Sequence, residues 1–254
     1  NSEGIYSAIF HSDDIYTESM ISQQVRFLQT HLKCGAVSTH AVLINENNEV
    51  TKERFIPYEL RKGQSIEMTK DDLLEFTYKY GNFITCPSVL FRTNILTKKI
   101  KHFRGDLFKT SADLDVWFRV AESSTFGFIS KPLIKYRASI ASYSYNLSRV
   151  RINDHDLFLV LNYYLNSMDL EGFNYKRLLA KQDFLLMKDR ANTNINRIIL
   201  KKGEFSEMRV FSNFKFIFPS YFHFKYFWVS LFIKILISIP FIVKFSSFLK
   251  KIRF

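Results

Sequence analysis

The 254 residues are 47% hydrophobic and 17% aromatic, enough apolar material for one sizeable core plus a further element. Cys34 and Cys86 are the only cysteines, which excludes a disulfide framework and a zinc-type cysteine cluster and points to a reducing compartment. The net charge of +12 is unevenly placed: Glu207 is the last acid and eight cations follow it, an asymmetry that needs its own explanation.

In chain order, IYSAIF (5–10) reads as a short buried strand that stops at His11, Ser12, Asp13 and Asp14. Thr17 is placed to cap a helix whose apolar residues Ile21, Val25, Leu28 and Leu32 follow helical spacing. AVSTHAVLI (36–44) is rich in strand formers, and NENNEV (45–50) supplies a turn. KDDLLEFTYKY (70–80) suits a short helix. NFITCPSVLFR (82–92) contains a strand interrupted by Pro87, which belongs at a sheet edge or in a loop. A helix over 112–123 precedes the strand FGFIS (126–130), and Pro132 leads into LIKYRAS. Short strands alternating with helices predict an α/β fold with a mainly parallel sheet. From about 150 to 200 the pattern turns helical, and composition shifts near 208, so the expected regions are 1–145, 146–207 and 208–254. Asn146-Leu147-Ser148 fits a glycosylation acceptor, though nothing else suggests secretion. The chain opens on Asn1 rather than Met, with no secretory signal ahead of the first strand, and is expected to be a fragment or to have lost an upstream part.

Two carboxylate groups carry the chemistry. Asp13 and Asp14 sit at the carboxyl end of the first strand, where open α/β sheets bind ligands. Two hard oxygen donors there suit Mg2+ or Mn2+, which cancels their repulsion and binds phosphate. A solvated turn with an Asx-type cap accounts for the same residues. In TSADLDVWFRVAE (110–122), Ser111 fits the N-cap, so Asp113 falls in the first turn, where the helix dipole favours it. Leu114, Trp117, Phe118 and Ala121 form the apolar stripe, with Asp113 at its margin facing a crevice. Asp115, one turn before Arg119, reads as that arginine's structural partner. The competing account makes both ordinary first-turn acids.

In this order the segments resemble the family 2 glycosyltransferases of the GT-A fold, from Gly4 to Tyr143. IYSAIFHSDDIYTESMISQQVRFLQ resembles the strand ending in the family's acidic metal-binding motif and its next helix, and CGAVSTHAVLINENNEV the following strand and turn. NFITCPSVLFR resembles the acceptor-side segment, SADLDVWFRVAE the segment with the catalytic base, and FGFISKPLIKYRAS the strand and loop over the diphosphate. The resemblance implies a GT-A-like (Rossmann-like) mixed sheet flanked by helices, incomplete at the N-terminus and followed by a helical C-terminal region. It implies inverting, metal-dependent transfer of a sugar from a nucleotide-diphosphate sugar to an acceptor hydroxyl. By position, Asp14 would hold Mg2+ or Mn2+, with Asp13 at the metal or the donor's ribose, and Arg137 would approach the phosphates. Asp113 would be the general base, with Asp115, Trp117 and Arg119 supporting its helix and Asn82 and Ser88 lining the acceptor side. The sequence departs from the family at Ala112, where many relatives carry an acid, and at Ser139, where many carry a histidine. His11 is a partial substitute for that histidine or packs beside the strand end. The family's opening strand–helix units, which bind base and ribose, precede the point where this sequence begins, so part of the donor site is expected to be missing.

Residues 210–254 hold fifteen aromatics, and two of their charge-free runs, 226–233 and 235–243, are split by Lys234 and followed by no acid. Both fall short of the roughly 20 apolar residues a spanning helix needs. Lysines among apolar residues suit a helix lying on an anionic membrane surface. A short tilted segment with Lys234 snorkelling, a core helix pair, and stacking on single-stranded nucleic acid are the alternatives, and nucleic acid is not an expected partner. The overall expectation is a glycosyltransferase peripheral on the cytoplasmic face of the cell membrane, acting on a lipid-linked or surface glycan. The competing expectation is a non-catalytic membrane-bound subunit retaining the fold, motivated by Ala112 and Ser139.

Overall fold

The computed structural model of the chain describes residues 3–61, 63, 65–137, 150–167, 172–200, 202, 204–208 and 225–237. Ser139, the 146–148 triplet and most of 208–254 lie outside the described residues. Two compact units divide the chain, Asn1–Ser142 and Tyr143–Phe254.

In the first unit seven strands form one sheet: β1 (Tyr6–Ala8), β2 (Ile15–Tyr16), β3 (Cys34–Ile44), β4 (Val50–Glu53), β5 (Ser65–Met68), β6 (Leu90–Arg92) and β7 (Thr125–Arg137). The order is β1-β6-β3-β7-β2, with β4 on β3 and β5 on β7. Only β3 and β7 run parallel among the described pairings; the others are antiparallel. The sheet is therefore mixed, as the resemblance implies, rather than mainly parallel, as the alternation of strands and helices alone suggests. The turn Asn45–Glu49 returns the chain directly onto β3, which forces an antiparallel neighbour, whereas a parallel one needs a long crossover.

Three helices flank the sheet: α1 (Met20–Thr30), α2 (Lys70–Tyr80) and α3 (Ala112–Ser123). α1 buries Met20, Phe27 and Leu28 against Val37 and Ala41 of β3 and Ile129 and Ile134 of β7. Gly127 permits that approach, since a Cβ there would lie 2.3 Å from the Phe27 ring. α3 buries Val116, Trp117, Phe118 and Val120. The Trp117 ring stacks on Phe91 at 5.9 Å and meets Phe126 edge-on at 5.7 Å. α2 is closed by a capping box between Thr69 and Asp72, and it ends at Gly81, whose φ of 84° turns the chain into the 82–84 loop.

Several local expectations change. The first strand is shorter and only half-buried because β1 lies at the sheet edge, and Ile9 and Phe10 are exposed. Ser19, not Thr17, holds the N-cap position of α1, its hydroxyl accepting from Gln23 Nε2 at 3.0 Å rather than capping a backbone N–H; Thr17 instead supplies its carbonyl to the Met20 N–H at 3.0 Å. Ser111 precedes α3 without making a side-chain cap. The FGFIS strand runs on through Pro132 to Arg137, and the register against β3 shifts beside Pro132, where a ladder donor is missing.

The second unit is helical: α4 (Leu157–Ser167), α5 (Gly172–Leu200) and α6 (Lys225–Ile237). Phe184, Met187, Ala191 and Ile195 of α5 and Ile233 of α6 share one core. Arg151 grips both Asp189 oxygens, and Arg190 pairs with Asp154 at 2.8 Å. Residues on both sides of position 208 thus contribute to one core.

Candidate active site

The loop between β1 and β2 is tight: the Asp14 N–H reaches His11 O at 3.4 Å, and the His11 N–H donates to the Tyr16 hydroxyl at 2.8 Å. Pairing of β2 with the end of β7 brings Arg137 across it. The Arg137 N–H donates to Asp14 Oδ1 at 2.8 Å, its Nε to Asp13 O at 2.7 Å, and its Nη1 to Asn45 O at 2.6 Å. Nη2 meets Asn48 Oδ1. The guanidinium expected at a phosphate is thus largely committed to bracing the acidic loop and the β3–β4 turn.

Asp14 is the residue this bracing positions. Its side chain is only 1% exposed, and Oδ2 is buried without a hydrogen-bond donor, with His11 Nδ1 3.8 Å away. Burial pushes its carboxyl above the usual range and the Asp13 charge adds to this, while the Arg137 N–H opposes it. One ligand atom each from His11, Asp13 and Asp14 lies within 4.8 Å of the others. A buried carboxylate oxygen lacking a donor, beside a second carboxylate and an imidazole, fits a divalent cation such as Mn2+ or Mg2+. His11 is not packed beside the strand end; its side chain is 42% exposed and faces Asp14.

Asp113 opens α3, half-buried. Oδ1 accepts the Leu114 N–H at 2.7 Å, and Oδ2 accepts Asn82 Nδ2 at 3.2 Å. The Asn82 amide is oriented by its own oxygen, which accepts the Ile84 N–H at 3.2 Å. Arg54 reaches the same loop, Nη2 lying 3.4 Å from Asn82 O, with its guanidinium 5.9 Å from the Tyr136 ring centroid. Burial raises the Asp113 pKa; the Leu114 N–H, the Arg54 charge and Asn82 pull against it. Cys86 feels the Asp113 charge, but chiefly burial pushes its thiol up to about 12, so it is no nucleophile at neutral pH.

Asp115 points the other way and is fully buried. Arg119 Nε donates to its Oδ2 at 2.9 Å, as does Arg104 Nε at 2.9 Å. Arg119 also holds the carbonyls of Ile100 at 2.6 Å and His102 at 2.8 Å. The pair ties α3 to the preceding loop.

Ser88 belongs inside the protein rather than on an acceptor side. It is fully buried, its hydroxyl donating to Thr85 O at 2.7 Å and bonded to Ser38 Oγ at 2.7 Å, while Gln24 Nε2 donates to its carbonyl at 2.7 Å. The structure brings Asp13, Asp14 and Arg137 together, joined by His11, and separately Asn82 with Asp113, joined by Arg54. Sequence spacing had no signal for Arg54 or Arg104, since strand and loop geometry alone carries them to their carboxylates.

No protein-family model matches the chain, and no curated protein matches it. Among solved structures it is similar to S. aureus TarS 1–349 in complex with UDP-GlcNAc, at 16% identity and TM-score 0.48, over 78% of this chain and 58% of that one. It is also similar to TarS 1–349 in complex with UDP, at 16% identity and TM-score 0.46, over 77% and 57% of the two chains. For a third structure, S. aureus TarS, the values are 17% and 0.43, over 99% of this chain and 38% of that one. The chain therefore spans less than two thirds of these neighbours' lengths.

Proposed function

We propose that this chain acts as a glycosyltransferase that moves a sugar from a nucleotide-diphosphate donor to an acceptor hydroxyl with inversion. The observation that carries the proposal is Asp14 Oδ2, buried without a donor beside His11 and Asp13, together with a second, partly desolvated carboxylate at Asp113. Asp14 and Asp13, with His11, would hold Mg2+ or Mn2+, which when bound stabilises charge on the leaving diphosphate. Arg137 fixes the Asp14 carboxylate through its backbone N–H and the Asp13 backbone carbonyl through its guanidinium. Asp113, ionised and oriented by Leu114 and Asn82, takes the acceptor's proton as its oxygen bonds to the anomeric carbon. The bond to the diphosphate breaks with its electron pair, and desolvation makes Asp113 a stronger base for that step. Phe55 and Tyr80, near Arg54 and Asn82 in sequence, set their rings 5.4 Å apart and tilted by 48°, aromatic surface that would suit a glycan acceptor. The acceptor class we favour is a lipid-linked or surface glycan of polysaccharide biosynthesis, met by an enzyme peripheral on the inner face of the membrane. The eight cations after Glu207 support this placing.

A second reading, a non-catalytic subunit retaining the fold, is favoured by Ala112, which is buried where many family members carry an acid. Turnover of a panel of nucleotide-diphosphate sugars, with Mn2+ and with chelator, by the full chain and Asp113→Asn separates the two. Metal-dependent turnover lost in Asp113→Asn is expected. Equal turnover in both removes Asp113 as the base, and no turnover with any donor supports the subunit reading.

A further inference from the structure

No helix among the described residues is long and apolar enough to cross a membrane. In the first unit, TKKIKHFRGDLFK (97–109) sets five lysines and arginines against one acid, Asp106. Two short turns shape this loop, Leu96–Ile100 and Gly105–Phe108, and each ends on a buried apolar residue, Ile100 and Phe108. Of the five cations, Arg104 is committed to the interior: its Nε donates to Asp115 Oδ2 at 2.9 Å. Arg119 holds the carbonyls of Ile100 at 2.6 Å and His102 at 2.8 Å. The backbone is thereby fixed, while Lys98, Lys99, Lys101 and Lys109 are exposed. Among the described residues none of those four lysines pairs with an acid.

Two of the four stand where the backbone disfavours a side chain. Lys101 has φ 65° and Lys109 φ 48°, a region that glycine enters without the clash a Cβ imposes. Lysine at both positions keeps a charge where conformation alone selects against it, and such outliers gather at binding sites. Leu107, two residues before Lys109, is 56% exposed. The loop exposes no Phe, Tyr or Trp, since Phe103 is half-buried and Phe108 buried, so it offers no open ring on which nucleic-acid bases could stack. Unpaired lysines around one exposed aliphatic side chain match anionic headgroups over acyl chains.

We propose that the 97–109 loop is a surface by which the first unit docks on an anionic lipid bilayer, with Lys98, Lys99, Lys101 and Lys109 on the headgroup phosphates and Leu107 entering the acyl boundary. Asp113 follows Lys109 by four residues, so docking here keeps the candidate base near the bilayer, where a lipid-linked acceptor would lie. This docking rests on the membrane part of the proposed function and not on its sugar chemistry.

The test is amine acetylation of the full chain, read lysine by lysine in a mass spectrometer, with vesicles of phosphatidylcholine or of phosphatidylcholine with phosphatidylglycerol. The anionic vesicles are expected to slow acetylation at Lys98, Lys99, Lys101 and Lys109 at least about fivefold, and the neutral ones to leave it unchanged. Unchanged rates with the anionic vesicles overturn the docking. Equal slowing by inorganic phosphate at the same phosphate concentration does so too, marking an ion site, as does stronger slowing by a single-stranded oligonucleotide, which reassigns the loop to nucleic acid. Flotation with the anionic vesicles is the second readout. Asp106→Asn, which removes the loop's only acid, should tighten partitioning several-fold. Lys98→Gln/Lys99→Gln/Lys101→Gln/Lys109→Gln should weaken it at least about tenfold, at an unchanged melting temperature because these side chains are exposed. Partitioning equal in wild type and both variants places the membrane contact elsewhere and overturns the proposal. None of these readouts needs sugar transfer, so absent turnover counts against the proposed chemistry and leaves the docking standing.

Discussion

At Asp14, one carboxylate oxygen has a backbone donor and the other has none while shut away from water. An ionised group in that position destabilises the fold until a positive partner arrives. Mn2+ is accordingly expected to raise the melting temperature of the wild type, by a stabilisation of about 2.7 kcal/mol at a hundred times its dissociation constant. Asp14→Asn should lose that response in a thermal-shift titration. Asp113 is tuned by opposing causes: burial raises its pKa, and the Leu114 N–H, Arg54 and Asn82 lower it. Only the ionised form accepts a proton, so transfer should fall as pH drops through the raised value, above the range of an exposed aspartate. Asn82→Ala removes a donor to the ionised form and should move that acid limb further up, read from the pH profile of kcat/KM.

Among the elements, α3 shows how one helix serves two purposes. Its first turn offers Asp113 to the candidate site, and two residues later Asp115 turns inward to Arg104 and Arg119. The latch also occupies the carbonyls of Ile100 and His102, so the loop before α3 is held wherever the helix goes. Asp115→Asn leaves two guanidinium groups short of their anion and should cost about 3–5 kcal/mol in chemical denaturation. The spacing of Asp115 and Arg119 showed half of this latch in the sequence. Arg104 was not legible, because a partner eleven residues away across a loop leaves no periodic trace. Helix spans were legible for the same reason that Arg104 was not: α2 and α3 follow apolar periodicity set within a few residues. Pro132 misled, since a bulge lets β7 continue past a residue that usually ends a strand.

For the whole molecule, the governing asymmetry is charge. The first 207 residues mix acids and bases, and the remainder is purely cationic. Binding to anionic vesicles should therefore weaken as salt shortens the screening length from about 10 Å near 0.1 M to about 3 Å near 1 M.

By itself the sequence determined the α/β class, most helix spans and the charge imbalance, and it singled out the carboxylates at 13, 14 and 113 as candidates. Each follows from residue type and short-range spacing. Only the tertiary structure decided which strands are neighbours in the sheet, that Ser88 is interior, and that Arg137 braces the acidic loop. It alone showed that Asp14 keeps a buried oxygen without a donor and that Arg54 and Asn82 converge on Asp113. Those facts depend on which strands become neighbours across many tens of residues, and on how completely packing excludes water from a given atom. Neither quantity is written in the local order of side chains.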